Sequence, residues 1–243
     1  MADDQNRTKG PAGAAEGPGP DWRQMADAAW GYQSPGESRL LPIATAVTAL
    51  VLYVALPDRF LVGPRFVVPA LEAAVLVPLV IASPNRITRE SRNLRGVGLT
   101  LIGLINAANI GSLVLLVHHL LHGGTASGQG LIYGAIAIWV TNVLVFALWF
   151  WEIDRGGPVA RCQPERRHPD FLFPQMGTPQ CAPVGWVPSF FDYLWVSFTN
   201  ASAFSPTDVM PLTTVVKMAM LVEAATSLTT IAVVAARAVN ILH

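Results

Sequence analysis

Charged side chains are scarce in this sequence, and their scarcity excludes an ordinary water-soluble domain. Only 13% of the 243 residues are charged, whereas soluble domains carry about 25%. Hydrophobic residues make up 52%, and the formal net charge is zero. A basic surface for nucleic acid is therefore not expected. The composition indicates instead that the main partner of the chain is a lipid bilayer.

Cysteine is nearly absent, and so are the motifs of an enzyme. Cys162 and Cys181 share one polar segment without a CxxC pair, which argues against a zinc site. If this segment faces an oxidising compartment, the two cysteines are able to form a disulfide. Otherwise they are two unpaired thiols. We find no nucleophile motif, phosphate-binding loop or pair of catalytic carboxylates. We therefore predict a protein that is not an enzyme and has no cofactor and no metal site.

Long apolar runs fill most of the remaining sequence, and they predict an all-α, polytopic membrane helix bundle. A helix that crosses a bilayer needs about 20 residues. The candidate runs cover residues 40–56, 66–83, 97–121, 131–151 and 211–242. A shorter aromatic run, 190–204, favours a half-helix that enters and leaves the bilayer from one side, although a complete crossing stays open. We expect about five transmembrane helices plus this re-entrant half-helix before the last one.

The runs divide the chain into three regions. Residues 1–38 form a tail rich in Gly and Pro that has too few large apolar groups to fold. It lacks the basic start and apolar centre of a signal peptide, and a short interfacial helix around 22–30 is the alternative to disorder. Residues 39–128 hold three transmembrane helices. Residues 129–243 hold an outer helix, a polar loop, the half-helix and an inner helix.

The basic residues predict the orientation. They concentrate in the tail, in the gap after the second run and in the polar segment after the fourth: Arg7, Lys9, Arg23, Arg39, Arg86, Arg89, Arg92, Arg95, Arg155, Arg161, Arg166 and Arg167. These three regions share one side if the first four helices all cross. Because cytoplasmic loops are enriched in Lys and Arg, we expect a multi-pass protein of the plasma (inner) membrane with a cytoplasmic N-terminus.

The clearest functional pattern precedes the last run. The pore segment of potassium channels commonly reads S-F-T-T-x-T-T-V-G-Y-G-D-x-x-P. A gapless alignment matches it at Ser197, Phe198, Thr199, Asp208 and Pro211, and Ser202 replaces a threonine. The order of outer helix, polar loop, short helix, filter and inner helix also resembles the pore domain of these channels. The resemblance implies a homo-oligomer, with four copies around a pore.

The filter itself departs from the channel pattern. Phe204, Ser205, Pro206 and Thr207 stand in place of V-G-Y-G. A potassium filter needs glycines so that successive carbonyls point inward, whereas Pro206 has a fixed φ. We expect a wider path for a monovalent or divalent cation or a small polar solute, without potassium selectivity. The residues expected to line it are Thr199, Asn200, Ser202, Phe204, Ser205, Pro206, Thr207 and Asp208. The alternative is that Ser205 or Asp208 merely caps a helix.

The same stretch is more similar to an uncharacterised group of bacterial membrane proteins with an FTNATAFSPTD-like sequence near the C-terminus. This resemblance implies a bacterial inner-membrane protein and brings no activity with it. One conflict stays open at this point. In potassium channels the loop before the pore helix faces outward, whereas the charge pattern places residues 152–187 in the cytoplasm. Entry from the cytoplasm, a sixth crossing or an external N-terminus would each resolve it.

The last run carries polar residues on one helical face: Glu223, Thr226, Thr230, Arg237 and Asn240. Glu223 is about 18 Å along the helix from Pro211, near the bilayer centre. An ionisable group there costs roughly 2.5 kcal/mol or more unless it is paired or hydrated. The expected function is a channel-like conduit with this face along its inner path. The alternatives are a non-conducting scaffold, in which the carboxyl only bonds a neighbouring hydroxyl, and a transporter that uses Glu223 as a proton or ion site.

Overall fold

The computed structural model describes residues 37–82, 92–122, 128–161, 168–178, 180, 182–183, 186–202 and 208–241. Most of these residues are helical, which confirms the predicted helical class. Several predicted features lie outside the described residues: nearly all of the tail, both cysteines, Phe204, Ser205, Pro206 and Thr207. The side chains of Arg237 and Asn240 lie outside them as well.

The described helices follow the apolar runs closely. In chain order they are α1 (Leu40–Ala55), α2 (Val67–Ala82), α3 (Arg92–Leu121), α4 (Gly128–Ile153), α5 (Pro158–Arg161), α6 (Pro174–Gly177), α7 (Phe190–Ser202) and α8 (Thr214–Ile241). Two short strands, β1 (Phe171–Leu172) and β2 (Met210–Pro211), pair antiparallel. Short 3₁₀ segments, Asp58–Phe60 and Asp154–Gly156, follow α1 and α4.

Three helical segments of the described chain are long and apolar enough to cross a bilayer: Arg95–Leu121, Gln129–Gly156 and Thr214–Ala236. They agree with a membrane protein. Helices α1 and α2 have 16 residues each, or about 24 Å at 1.5 Å per residue. Because the hydrocarbon core is about 30 Å thick, these two helices reach most of its depth but not all of it.

Helix α4 lies at the centre of the bundle, where it contacts α1, α3, α7 and α8. It is apolar on nearly every face, which is typical of a helix surrounded by other helices. Four of its side chains are 0% exposed: Ile138, Val145, Ala147 and Phe150. Helix α8, in contrast, packs one stripe inward and turns apolar side chains such as Leu221 and Leu228 outward. An apolar outer surface of this kind suits contact with lipid.

Helix α7 has both of its flanking segments at the same end of α4. At its start, the Tyr193 hydroxyl donates to Asp154 Oδ2 at 2.6 Å. After it, the Leu212 N–H donates to the carbonyl of Asp170 at 2.8 Å, beside the β1–β2 pair. Between these points Ser197 reaches Val143, about 16 Å back along α4 from Asp154. The segments before and after α7 therefore lie at one end of α4, whereas Ser197 within α7 lies farther along α4 from that end.

The start of the last helix differs from its sequence prediction. Pro211 was expected at the first helical position, whereas the structure places it in β2 and begins α8 at Thr214. The bond from Leu212 to Asp170 holds the backbone extended here. The Thr213 hydroxyl adds a 2.8 Å bond to Asp170 Oδ1. These contacts anchor the entry to α8 on the segment that follows α5.

A network that we call the polar cap, formed by Glu37, Asp154, Arg161, Asp170 and Tyr193, closes this end of the bundle. Asp154 is 0% exposed and also accepts a 2.9 Å bond from the Asp170 N–H. Arg161 donates from Nε and Nη2 to the Glu37 carboxylate at 2.7 and 3.0 Å. Its Nη1 donates to the Asp154 carbonyl at 2.9 Å. Burial opposes the charge of Arg161, but Tyr193, Glu37 and Asp154 together raise its pKa.

Candidate functional site

Glu223 is buried inside the chain at mid-length of α8. Its exposure is 0%, and it shares a buried polar stripe with Thr226, Ser227 and Thr230. This stripe follows from the i, i+3, i+4, i+7 spacing, which places the four residues on one helical face. Because the opposite face of α8 is apolar, the helix packs its polar side against the bundle.

Both carboxyl oxygens of Glu223 have partners on the half-helix α7. Oε2 accepts a 2.7 Å bond from Asn200 Nδ2, and the same amide nitrogen donates to the Met220 carbonyl at 3.0 Å. Oε1 shares a hydrogen bond with the Ser197 hydroxyl. Ser197 and Asn200 are one helical turn apart, so a single face of α7 holds the carboxyl group.

Helix α4 completes the surroundings of this carboxyl. The Ser197 hydroxyl lies 2.7 Å from the Val143 carbonyl. Asn142 Nδ2 donates to the Glu223 carbonyl at 3.1 Å and to Ser227 Oγ at 3.4 Å. Asn142, Ser197 and Ser227 are all 0% exposed. We call this meeting point of α4, α7 and α8 the carboxyl cluster; it consists of Asn142, Ser197, Asn200, Glu223 and Ser227.

When Glu223 is ionised, the carboxyl cluster has one proton too few for all of its acceptors. A serine hydroxyl has a single proton, yet two acceptors, the Val143 carbonyl and Glu223 Oε1, lie within bonding distance of Ser197. Both contacts are satisfied together only when the carboxyl brings a proton and donates to Ser197 Oγ. If the carboxyl is ionised, the Ser197 hydroxyl donates to only one of these acceptors, and the other acceptor loses this hydrogen bond. The cluster therefore couples the protonation of Glu223 to the contact between α7 and α4.

The other sequence-predicted residues of α7 bond within their own helix. The Thr199 hydroxyl donates toward the Trp195 and Val196 carbonyls at 2.9 and 3.0 Å. The Ser202 hydroxyl donates to the Thr199 carbonyl at 3.1 Å. Among the predicted path-lining residues before α8 that the structure describes, Asn200 is the one that bonds to Glu223. Asp208 is exposed at the end that carries the polar cap.

The predicted polar face of α8 is also turned inward. Thr226 and Thr230 are buried and donate to the Val222 and Thr226 carbonyls at 2.9 and 2.8 Å. Hydroxyls bonded in this way leave an oxygen lone pair available as an acceptor. Thr230 also borders an apolar cleft with Trp139 and Ile231. Glu223 and the two threonines therefore form a continuous polar line inside the bundle.

Sequence reasoning separated residues that the structure brings together. It placed Asn200 at a pore mouth and Glu223 on an inner path, yet the two side chains bond directly. It assigned no site role to Asn142 or Ser227. The signal for Ser227 was its position four residues after Glu223, which places it on the same face.

The cluster offers oxygen and amide groups but no set of strong metal ligands. Among the residues that the structure describes, no group of three or more His, Cys, Asp or Glu is positioned to hold a metal ion. A lone carboxyl surrounded by neutral amide and hydroxyl groups suits a proton or a monovalent cation. Comparison with family models, curated proteins and solved structures found no match to this chain. The family resemblances therefore depend on the motif residues alone.

Proposed function

We propose that this chain is a channel-like membrane transport protein in which α4, α7 and α8 form the transport module. It moves a cation, a proton or a small polar solute, and Glu223 is the group that binds it. The observation that carries the proposal is the fully buried carboxyl of Glu223, held by Ser197 and Asn200 of the half-helix. An ionisable group within a membrane span is costly and is retained chiefly for function.

The shape of α7 supports the same proposal. Its 13 residues are about 20 Å long, too short for a hydrocarbon core of about 30 Å. We infer that α7 is re-entrant because its two flanks lie at the same end of α4. We also infer that α1 and α2, which lead from one end of the bundle to the other, cross with α3, α4 and α8 to give five spans. Irregular backbone at membrane depth is tolerated where protein or water covers it. A half-helix followed by a hydroxyl-rich segment is thus a natural place for a polar path.

The location of Glu223 favours a path through each protomer over one shared central pore. The carboxyl is enclosed by three helices of one chain, and the outward face of α8 is apolar. A homo-oligomer fits this arrangement as an assembly of parallel units. We further propose a location in the plasma membrane with a cytoplasmic N-terminus, because four described arginines, Arg39, Arg95, Arg155 and Arg161, belong to segments at one end of the bundle, whereas two, Arg59 and Arg65, lie at the other.

Ion flux in reconstituted vesicles tests the proposal. Liposomes that contain the purified chain should release protons or alkali cations faster than empty liposomes. Glu223→Gln should lower this rate at least about tenfold, equivalent to about 1.4 kcal/mol. The matched control is Thr229→Val, because Thr229 is exposed on the other face of α8 and bonds only its own helix.

The competing function is a non-conducting scaffold, and one observation favours it. Both oxygens of Glu223 already have partners, as expected for a side chain that braces three helices. A scaffold would show no flux above empty liposomes, and Glu223→Gln would change only its melting temperature. Equal flux in the wild-type chain and in folded Glu223→Gln would also rule out the proposed role of this carboxyl.

A further inference from the structure

A second buried carboxyl, Glu72 on α2, has surroundings unlike those of Glu223. Its exposure is 2%, and neither side-chain oxygen has a hydrogen-bond partner among the described residues. A buried carboxyl without partners is among the least stable arrangements in a protein interior. If Glu72 is ionised, its location therefore requires a positive group that binds to it.

The packing of α2 against α3 places Glu72 at a definite level of the bundle. Leu76 lines a cavity with Leu101 and Ile102 of α3. The loop before α2 meets the later part of α3, because Val62 lies against Gly111. The two helices are therefore antiparallel. Glu72 lies one turn before Leu76 on α2. It is therefore level with the part of α3 that lies one turn after Ile102 and begins at Ile105 and Asn106.

That part of α3 carries its own row of unpartnered polar atoms. Asn106, Asn109 and Ser112 follow at steps of three, so they share one side of the helix. Asn106 Oδ1, Asn109 Nδ2 and Ser112 Oγ are buried without a hydrogen-bond partner in the described structure. Asn109 is 2% exposed and Ser112 is 0% exposed. Each such atom costs about 1–3 kcal/mol if it stays unsatisfied.

We propose that Glu72, Asn106 and Asn109 form an intramembrane binding site for an alkali-metal cation. The site offers carboxylate and amide oxygens, since the oxygen and nitrogen of Asn109 exchange by a flip of the amide group. Oxygen ligands select hard cations. The one carboxylate balances one positive charge, whereas a divalent ion would leave a net charge within the hydrocarbon layer.

This site is separate from the carboxyl cluster and does not depend on the proposed transport function. Its residues belong to α2 and α3, whereas the cluster belongs to α4, α7 and α8. The role that we assign to it is the stabilisation of the α2–α3 pair by cation binding. A ligand that binds only the folded state raises the unfolding midpoint in proportion to the logarithm of its concentration.

Thermal unfolding of the purified full-length chain in detergent tests the site. Tryptophan fluorescence follows the transition while NaCl or KCl replaces choline chloride at constant ionic strength. We expect the midpoint to rise with the logarithm of the alkali cation concentration, and choline should give no such rise. Glu72→Gln should lose this rise. Asp58→Asn, a change at an exposed carboxyl, should retain it.

Several outcomes would overturn the proposal. They are a wild-type midpoint that does not respond to alkali cations, a response only to MgCl₂, and a response that survives in Glu72→Gln. If Glu72→Gln does not fold, Asn109→Ala removes one ligand group and leaves the carboxyl in place. It should raise the cation concentration at which the midpoint begins to increase about tenfold or more, and an unchanged value refutes the site. A response lost in Glu223→Gln and kept in Glu72→Gln would assign the cation to the carboxyl cluster instead.

Discussion

Asp154 is the residue on which the polar cap most depends. One of its carboxylate oxygens accepts from the Tyr193 hydroxyl of α7 and the other from the Asp170 backbone, while its own backbone carbonyl accepts from Arg161. A charge that is 0% exposed is stable only when it is paired and bonded in this way. Asp154 therefore links the end of α4 to the half-helix and to the loop that anchors α8.

We predict that Asp154→Asn lowers the free energy of unfolding by about 3 kcal/mol, because it leaves buried Arg155 without its counter-ion and places an NH₂ group among donors. Tyr193→Phe removes one hydrogen bond and should cost about 1–2 kcal/mol. Thermal unfolding in detergent measures both changes. Asp58→Asn is the control, since the side chain of Asp58 is 80% exposed. Equal midpoints for Asp154→Asn and Asp58→Asn would contradict the argument.

Among the helices, α7 carries a capping arrangement that fixes where it begins. Ser189 precedes the helix, and both its N–H and its hydroxyl donate to Asp192 Oδ2 at 2.7 Å. A residue at the third helical position that bonds back to the cap residue is half of a capping box. The cap matters here because a short half-helix cannot rely on length for stability.

Asp192→Ala should lower the free energy of unfolding by about 1 kcal/mol through loss of this cap. It should also increase proteolysis or hydrogen exchange at the start of α7, which mass spectrometry measures by peptide. Asp192→Glu is the matched variant, since glutamate is the usual residue at this position of a capping box. It should retain most of the protection. Protection that is equal in the alanine variant and in the wild-type chain would show that packing alone sets the start of α7.

The positions of the helices could be predicted from the sequence more accurately than the contacts between them. Apolar runs located α1, α2, α4 and α7 within a few residues, because a lipid-facing or buried helix needs continuous apolar length. The polar cap was not predictable in this way. Glu37 and Arg161 are 124 positions apart, and their pairing depends on the start of α1 lying beside the end of α4. The bond between Asn200 and Glu223 likewise depends on the return of the chain after α7.

For the whole molecule, the ends of the bundle differ in the number of described arginines, since four lie beside the polar cap and two, Arg59 and Arg65, lie at the other end. Arg39, Arg95, Arg155 and Arg161 belong to the end that carries the polar cap, where the Arg95 guanidinium donates to the Glu152 carbonyl at 3.1 Å. The opposite end of α3 carries His118, His119 and His122. Because arginine is enriched on the cytoplasmic side of membrane proteins, we expect the polar cap to face the cytoplasm.

Thiol labelling in intact cells measures this orientation. In the sequence, Cys162 directly follows Arg161 of the polar cap and Cys181 precedes α7, so a membrane-impermeant maleimide should not reach them until the cells are permeabilised. A cysteine introduced as His122→Cys, in a chain that carries Cys162→Ser and Cys181→Ser, should react in intact cells because His122 is exposed at the opposite end. An impermeant reductant, added beforehand, opens any external disulfide that would otherwise hide the native pair. Labelling of the native cysteines without permeabilisation, together with protection of the cysteine at position 122, would reverse the orientation and bring the half-helix in from outside, as in potassium channels.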